Sequence, residues 1–106
     1  MSDNLIKDVY TQNLRYIESN TTHADLLMQM AEEAVELAQA ALKCRRALGC
    51  GTPTPVSVGA AYANVLEELA DVKVCADAIM TWEDVVVVLE TRHRKADRWA
   101  KRLREK

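Results

Sequence analysis

The chain has 106 residues, a formal net charge of −2 and 49% apolar residues, which fits one folded domain and excludes a disordered chain. Its 3 Gly, 2 Pro and absence of Phe, beside abundant Ala, Leu, Glu, Lys and Arg, favour helix. Net acidity argues against a general nucleic-acid binder, although 8 of the 14 basic residues fall within residues 92–106.

The N-terminus, MSDNLIKDVY, is polar and reads as no signal peptide. Leu5, Val9, Leu14 and Ile17 give the first segment, about Leu5 to Glu18, a loose helical spacing. A second helix is expected from Thr22, which forms a threonine–x–x–acid start signal with Asp25. Leu27, Met30, Ala34, Leu37, Ala41, Cys44 and Leu48 then recur in steps of three and four, an apolar seam that Gly49 and Gly51 end. Pro53 and Pro55 exclude helix from the turn that follows, and Ser57 is placed to cap the next helix.

The third helix carries the seam Tyr62, Val65, Leu69, Val72, Ala76 and Ile79. The fourth starts at Thr81, with Asp84 three residues on, and presents Val85, Val88, Leu89, Ala96, Trp99 and Leu103. The β-branched run Val85–Val88 also suits a strand, but the spacing that follows favours helix. The longest apolar run, Val85–Leu89, is far too short to cross a membrane. Cys44, Cys50 and Cys75 fit no metal-ligand spacing and read as reduced thiols filling space in a cytoplasmic protein. Tyr62 is expected in the core, Trp82 and Trp99 in the core or a subunit interface, and His23 and His93 at the surface.

The chemistry concentrates in two acidic groups: Glu32, Glu33 and Glu36 on the second helix, and Glu67, Glu68 and Asp71 on the third. Residues three or four apart share a helix face, so Glu33 with Glu36 and Glu68 with Asp71 are vicinal pairs of like charge. With Ala34/Leu37 and Leu69/Val72 as seam positions a and d, both pairs take the same flanking offset, g and c. A short turn makes the helices antiparallel, and both pairs then sit roughly 20 Å from it at about 1.5 Å per residue. One vicinal acidic pair is an ordinary solvated face; two at matched offset and height point to a metal site. Carboxylate oxygens without His or Cys suit Mg²⁺, with Mn²⁺ as a substitute, and Mg²⁺ is commonly shared with substrate phosphates.

Glu32-Glu33-Ala34-Val35-Glu36 followed by Glu68-Leu69-Ala70-Asp71 resembles the EExxE…ExxD signature of the MazG-like all-α nucleoside triphosphate pyrophosphohydrolases. The spacing between the two motifs is longer than in many members, by the length of the Pro-rich turn. The resemblance spans about Thr22 to Leu103. Length and spacing give one all-α domain over residues 1–106, with an N-terminal helix in 1–20 and the motif-bearing helices in 22–104. The resemblance further implies a four-helix bundle completed by dimerisation, as a homodimer or homotetramer. It implies hydrolysis of the α–β phosphoanhydride of a nucleotide to monophosphate and pyrophosphate, in nucleotide-pool cleaning. Glu33, Glu36, Glu68 and Asp71 would hold Mg²⁺, with Glu32 and Glu36 in catalytic roles. Lys95 and Arg98 on the last helix would bind the substrate's phosphates. The competing readings are a non-enzymatic helical interaction module and a weak nucleic-acid binder using residues 92–106.

Overall fold

Each helix start marked in the sequence is capped in the computed structural model, which describes residues 3–106, with side chains from Val9 onward. Met1, Ser2 and the side chain of Leu5, on which parts of the sequence reading fall, lie outside the described residues. Helix α1 spans Asp3–Asn20, α2 His23–Ala47, α3 Val58–Ile79 and α4 Trp82–Arg104. The Thr22 hydroxyl accepts from the Asp25 N–H at 3.0 Å, and the Ser57 hydroxyl from the Ala60 N–H at 3.2 Å. Thr81 and Asp84 form a reciprocal capping box, at 3.2 and 3.0 Å. These bonds satisfy donors that a helix start leaves without partners. Among the described residues there is no strand, so the Val85–Val88 run is helical.

Helix α2 stops because Gly49 and Gly51 take φ of +96° and +85°, a region costly for residues with a Cβ. The turn through Pro55 brings α3 back along α2. Glu33 lies beside Glu68, while Lys43 and Arg46 share a groove with Asn64, so the two helices are antiparallel as expected. Helix α1 packs more sparsely, on α3. Tyr10 fastens it there, its hydroxyl donating to Asp77 Oδ2 at 2.5 Å. Burial, then the bond to Asp77 and its charge, push the Tyr10 hydroxyl up to about 12, so it stays a donor at all ordinary pH. Tyr10→Phe should therefore lower stability by about 1 kcal/mol, measured by urea unfolding.

The interface between α2 and α3 follows the expected seams in part: Met30, Leu37 and Cys44 on α2, and Val65, Val72, Ala76 and Ile79 on α3, are buried or half-buried as expected. Along α2 the buried or half-buried positions are Leu26, Met30, Glu33, Leu37, Ala40, Cys44 and Ala47, whereas Leu27, Ala34, Ala41 and Leu48 are exposed. Along α3 they include Ala61, Val65, Glu68, Val72, Cys75 and Ala78, with Tyr62 and Leu69 exposed. The α2 helix is apolar on two adjacent rows, and the row containing Glu33 is the one that meets α3. Glu33 and Glu68 are thus members of the seam rather than its flanks. Cys44 and Cys75 fill space as expected, but Cys50 is exposed in the turn.

Helix α4 has no buried residue and does not pack along the other three. Trp82 is 77% and Trp99 67% exposed, so neither belongs to the core of the chain. The radius of gyration is 17.3 Å, against about 13 Å for a closed domain of this length. No helix among the described residues is long and apolar enough to cross a membrane.

Candidate metal centre

Midway along the α2–α3 pair, one carboxylate oxygen from each of Glu33, Glu36 and Glu68 lies within 4.8 Å of the others. The antiparallel pairing puts both motifs at one level, as the spacing from the turn requires. Glu33 and Glu68 are half-buried because they occupy seam positions, and Glu36 is exposed one turn further along α2. Glu33 is held in place from α2 itself: Gln29, one turn earlier, donates its side-chain N–H to Glu33 Oε1 at 2.8 Å. The second oxygen of Glu33, and Oε2 of Glu68, are both buried without a hydrogen-bond partner.

The electrostatics of the cluster are those of uncompensated negative charge. Burial raises the Glu33 carboxyl above the ordinary glutamate value, and the charges of Glu36 and Asp71 raise it further, against the opposing bond from Gln29. Burial also raises Glu68, with Glu36 and Asp71 adding to it. The thiol of Cys75 is pushed up by burial, then by Glu33 and Asp71, so it lies under the cluster as a neutral group.

Like charges gathered at a half-buried point are unfavourable unless a cation or protons balance them. Two orphaned carboxylate oxygens in an all-oxygen donor set fit a hard divalent cation such as Mg²⁺ or Mn²⁺. Three of the four expected ligands are brought together, and the fourth, Asp71, is exposed but near enough for its charge to act on Glu33 and Glu68. Glu32 is exposed outside this group. Lys95 and Arg98 are not brought to it within the chain. They line a shallow hollow on α4 with Thr91 and Arg94.

Sequence reasoning missed three neighbours of the cluster. Gln29 orients Glu33, and its position four residues earlier on the same face was the available signal. Lys43 and Arg46 line a cleft of about 600 Å³ that also contains Glu36, Glu68 and Asn64. Their spacing of seven and ten residues from Glu36 places them on the same side of α2, two and three turns on.

The fold and the cluster together define an all-α protein with a carboxylate centre between two antiparallel helices. Comparison with protein-family models, curated proteins and solved structures returns no match.

Proposed function

We propose that the chain is a Mg²⁺-dependent, MazG-like nucleotide pyrophosphohydrolase that cleaves the α–β phosphoanhydride of a nucleoside or deoxynucleoside triphosphate. The observation that carries this reading is the convergence of Glu33, Glu36 and Glu68, two of them with buried oxygens that no protein group satisfies. Glu33, Glu36, Glu68 and Asp71 would hold the cation. Bound there, Mg²⁺ supplies charge neutralisation for phosphate oxygens and a more acidic water. Glu33 and Glu68 are fixed by the seam, and Gln29 adds a hydrogen bond to Glu33, so their oxygens are preorganised before substrate arrives. Glu36, the exposed member, has a face open to solvent and is suited to take a proton from an attacking water. Glu32, on the outer side of the cluster, would assist only from a second layer.

Pyrophosphate release from a panel of ribo- and deoxyribonucleoside triphosphates with Mg²⁺ tests the reading. Release of pyrophosphate and monophosphate in equal amounts supports it. A folded chain that binds Mn²⁺ but releases neither favours a non-enzymatic interaction module built around the same carboxylates.

The working form we propose is a cytoplasmic homo-oligomer, a dimer or dimer of dimers. The accessible surface is 8531 Å², against about 6000 Å² for a closed monomer of this mass. The excess is well above the roughly 800 Å² per partner of a standard interface. The exposed apolar surface includes the face of α4 with Val87, Val88, Ala96 and Trp99, which borders a hollow of about 670 Å³. Trp99→Glu should shift the chain toward monomer in sedimentation velocity, with the helical content of each chain retained.

A further inference from the structure

We propose that the cleft running from Glu36 and Glu68 toward the Gly49 end of α2 seats the phosphate chain of the substrate, held by Lys43 and Arg46 with Asn64 on the facing helix. The proposal rests on the pyrophosphohydrolase reading and gives the bound nucleotide a direction.

Geometry comes first. Lys43 and Arg46 follow Glu36 on one side of α2, and Lys43 is about 10 Å further along at 1.5 Å per residue. Helical side chains lean toward the N-terminus of their helix. Both cations therefore lean back along the cleft toward the carboxylates. A polyphosphate suits cations at one end and a carboxylate-bound metal at the other, because it carries separated charged oxygens along one chain.

Burial separates this arrangement from an ordinary cationic helix end. The helix dipole favours any cation in the last turn, and Arg45 and Arg46 both occupy it. Yet Arg45 is exposed, whereas Lys43 and Arg46, on the cleft side, are half-buried. Gly51 packs behind Arg46: a Cβ on that glycine would sit 3.7 Å from Arg46 Cγ. The positive-φ turn thus backs the stem of the arginine and leaves its guanidinium to the cleft.

The other flank of the carboxylates is of opposite character. A cavity of about 280 Å³ there is walled by Ile17, Leu26, Val74, Cys75 and Ala78, with Thr21, Asp25 and Gln29 also in its lining and no cation there among the described residues. The described lining of that flank holds an acid and no cation, so the charged end of the nucleotide falls to the Lys43 side.

The test uses the full chain and inorganic pyrophosphate with Mg²⁺, titrated calorimetrically. Lys43→Gln and Arg46→Gln should each weaken pyrophosphate binding about tenfold, and the double variant about a hundredfold. Mn²⁺ binding followed by electron paramagnetic resonance should stay unchanged, which shows that fold and carboxylates are intact. A double variant with native Mn²⁺ and native pyrophosphate affinity overturns the proposal. So does nucleotide hydrolysis with an unaltered KM in that variant, and the enzymatic reading then stands without this cleft. Pyrophosphate binding that depends on Lys43 and Arg46 in a chain hydrolysing no nucleotide sustains the cleft and removes the enzymatic reading.

Discussion

Glu36→Ala should abolish metal-dependent pyrophosphate release, lowering kcat by about 10² to 10⁴, the range for loss of a positioned acid–base group. Glu36 is the exposed member of the three clustered carboxylates and lies between the half-buried pair and the cationic cleft. On the proposed reading its removal takes away one cation ligand and the acceptor best placed for a proton. It should not unfold the chain, because an exposed glutamate in mid-helix contributes little packing and Ala is the better helix former. Circular dichroism on the same sample separates the two effects. A Glu36→Ala chain with native helicity and native turnover would remove the carboxylate centre from the reaction. Glu36→Gln discriminates further: it keeps the shape and one neutral oxygen but loses the charge, and its turnover should fall nearly as far.

The second large effect is expected in stability, and its sign follows from the raised carboxyls. Glu33 and Glu68 both hold protons more tightly in the folded chain than when unfolded, because burial and then the charges of Glu36 and Asp71 disfavour their ionised forms. Between the ordinary glutamate value and the raised one, the folded state binds more protons than the unfolded state. Stability without divalent cation therefore falls as pH rises through that window, and the loss persists at neutral pH. The usual carboxylate that gains a partner on folding behaves in the opposite way.

A bound cation reverses this balance. At about a hundred times its Kd, any ligand of the folded state alone adds about 2.7 kcal/mol, which for a domain of this size is a Tm increase of roughly ten degrees or more. Thermal melts across pH 4 to 8, with chelator and with Mg²⁺, should show a chelated Tm that falls with pH and a Mg²⁺ increment that grows with it. In Glu68→Leu, where an apolar side chain continues the seam between Val65 and Val72, the chelated Tm should rise at neutral pH. Both the pH slope and the Mg²⁺ increment should shrink in that variant. A chelated chain whose Tm rises with pH would show that the carboxylates are compensated by some group of the protein.

Glu33 and Glu68 also show how far periodicity reaches. Along α2 the rows Leu27–Ala34–Ala41–Leu48 and Leu26–Glu33–Ala40–Ala47 each recur every seven residues, and either completes a three-four seam with Met30, Leu37 and Cys44. The first row placed Glu33 beside the seam; the packing chose the second and placed Glu33 in it. Among the described residues the exposed row stands open, and α4 has no buried residue. A hydrophobic face records that it is to be covered, but not by which helix or by which copy. For the same reason Trp82, Trp99 and Tyr62 read as candidates for burial and stand exposed in the single chain.

What the sequence determined by itself was local or depended on chain distance. Thr22, Ser57 and Thr81 mark helix starts because a hydroxyl two or three residues from free N–H groups can cap them. Gly49, Gly51 and the prolines fix the reversal through backbone sterics, and similar chain lengths from that reversal bring the two acidic motifs to one level. The tertiary structure alone decided which row of α2 meets α3, that Lys43 and Arg46 border the carboxylates, and that Lys95 and Arg98 stand apart on α4. Each of these depends on the rotation of one helix about its axis or its direction after a turn. Many rotations and directions satisfy the same apolar pattern, and only packing against a specific neighbour selects one.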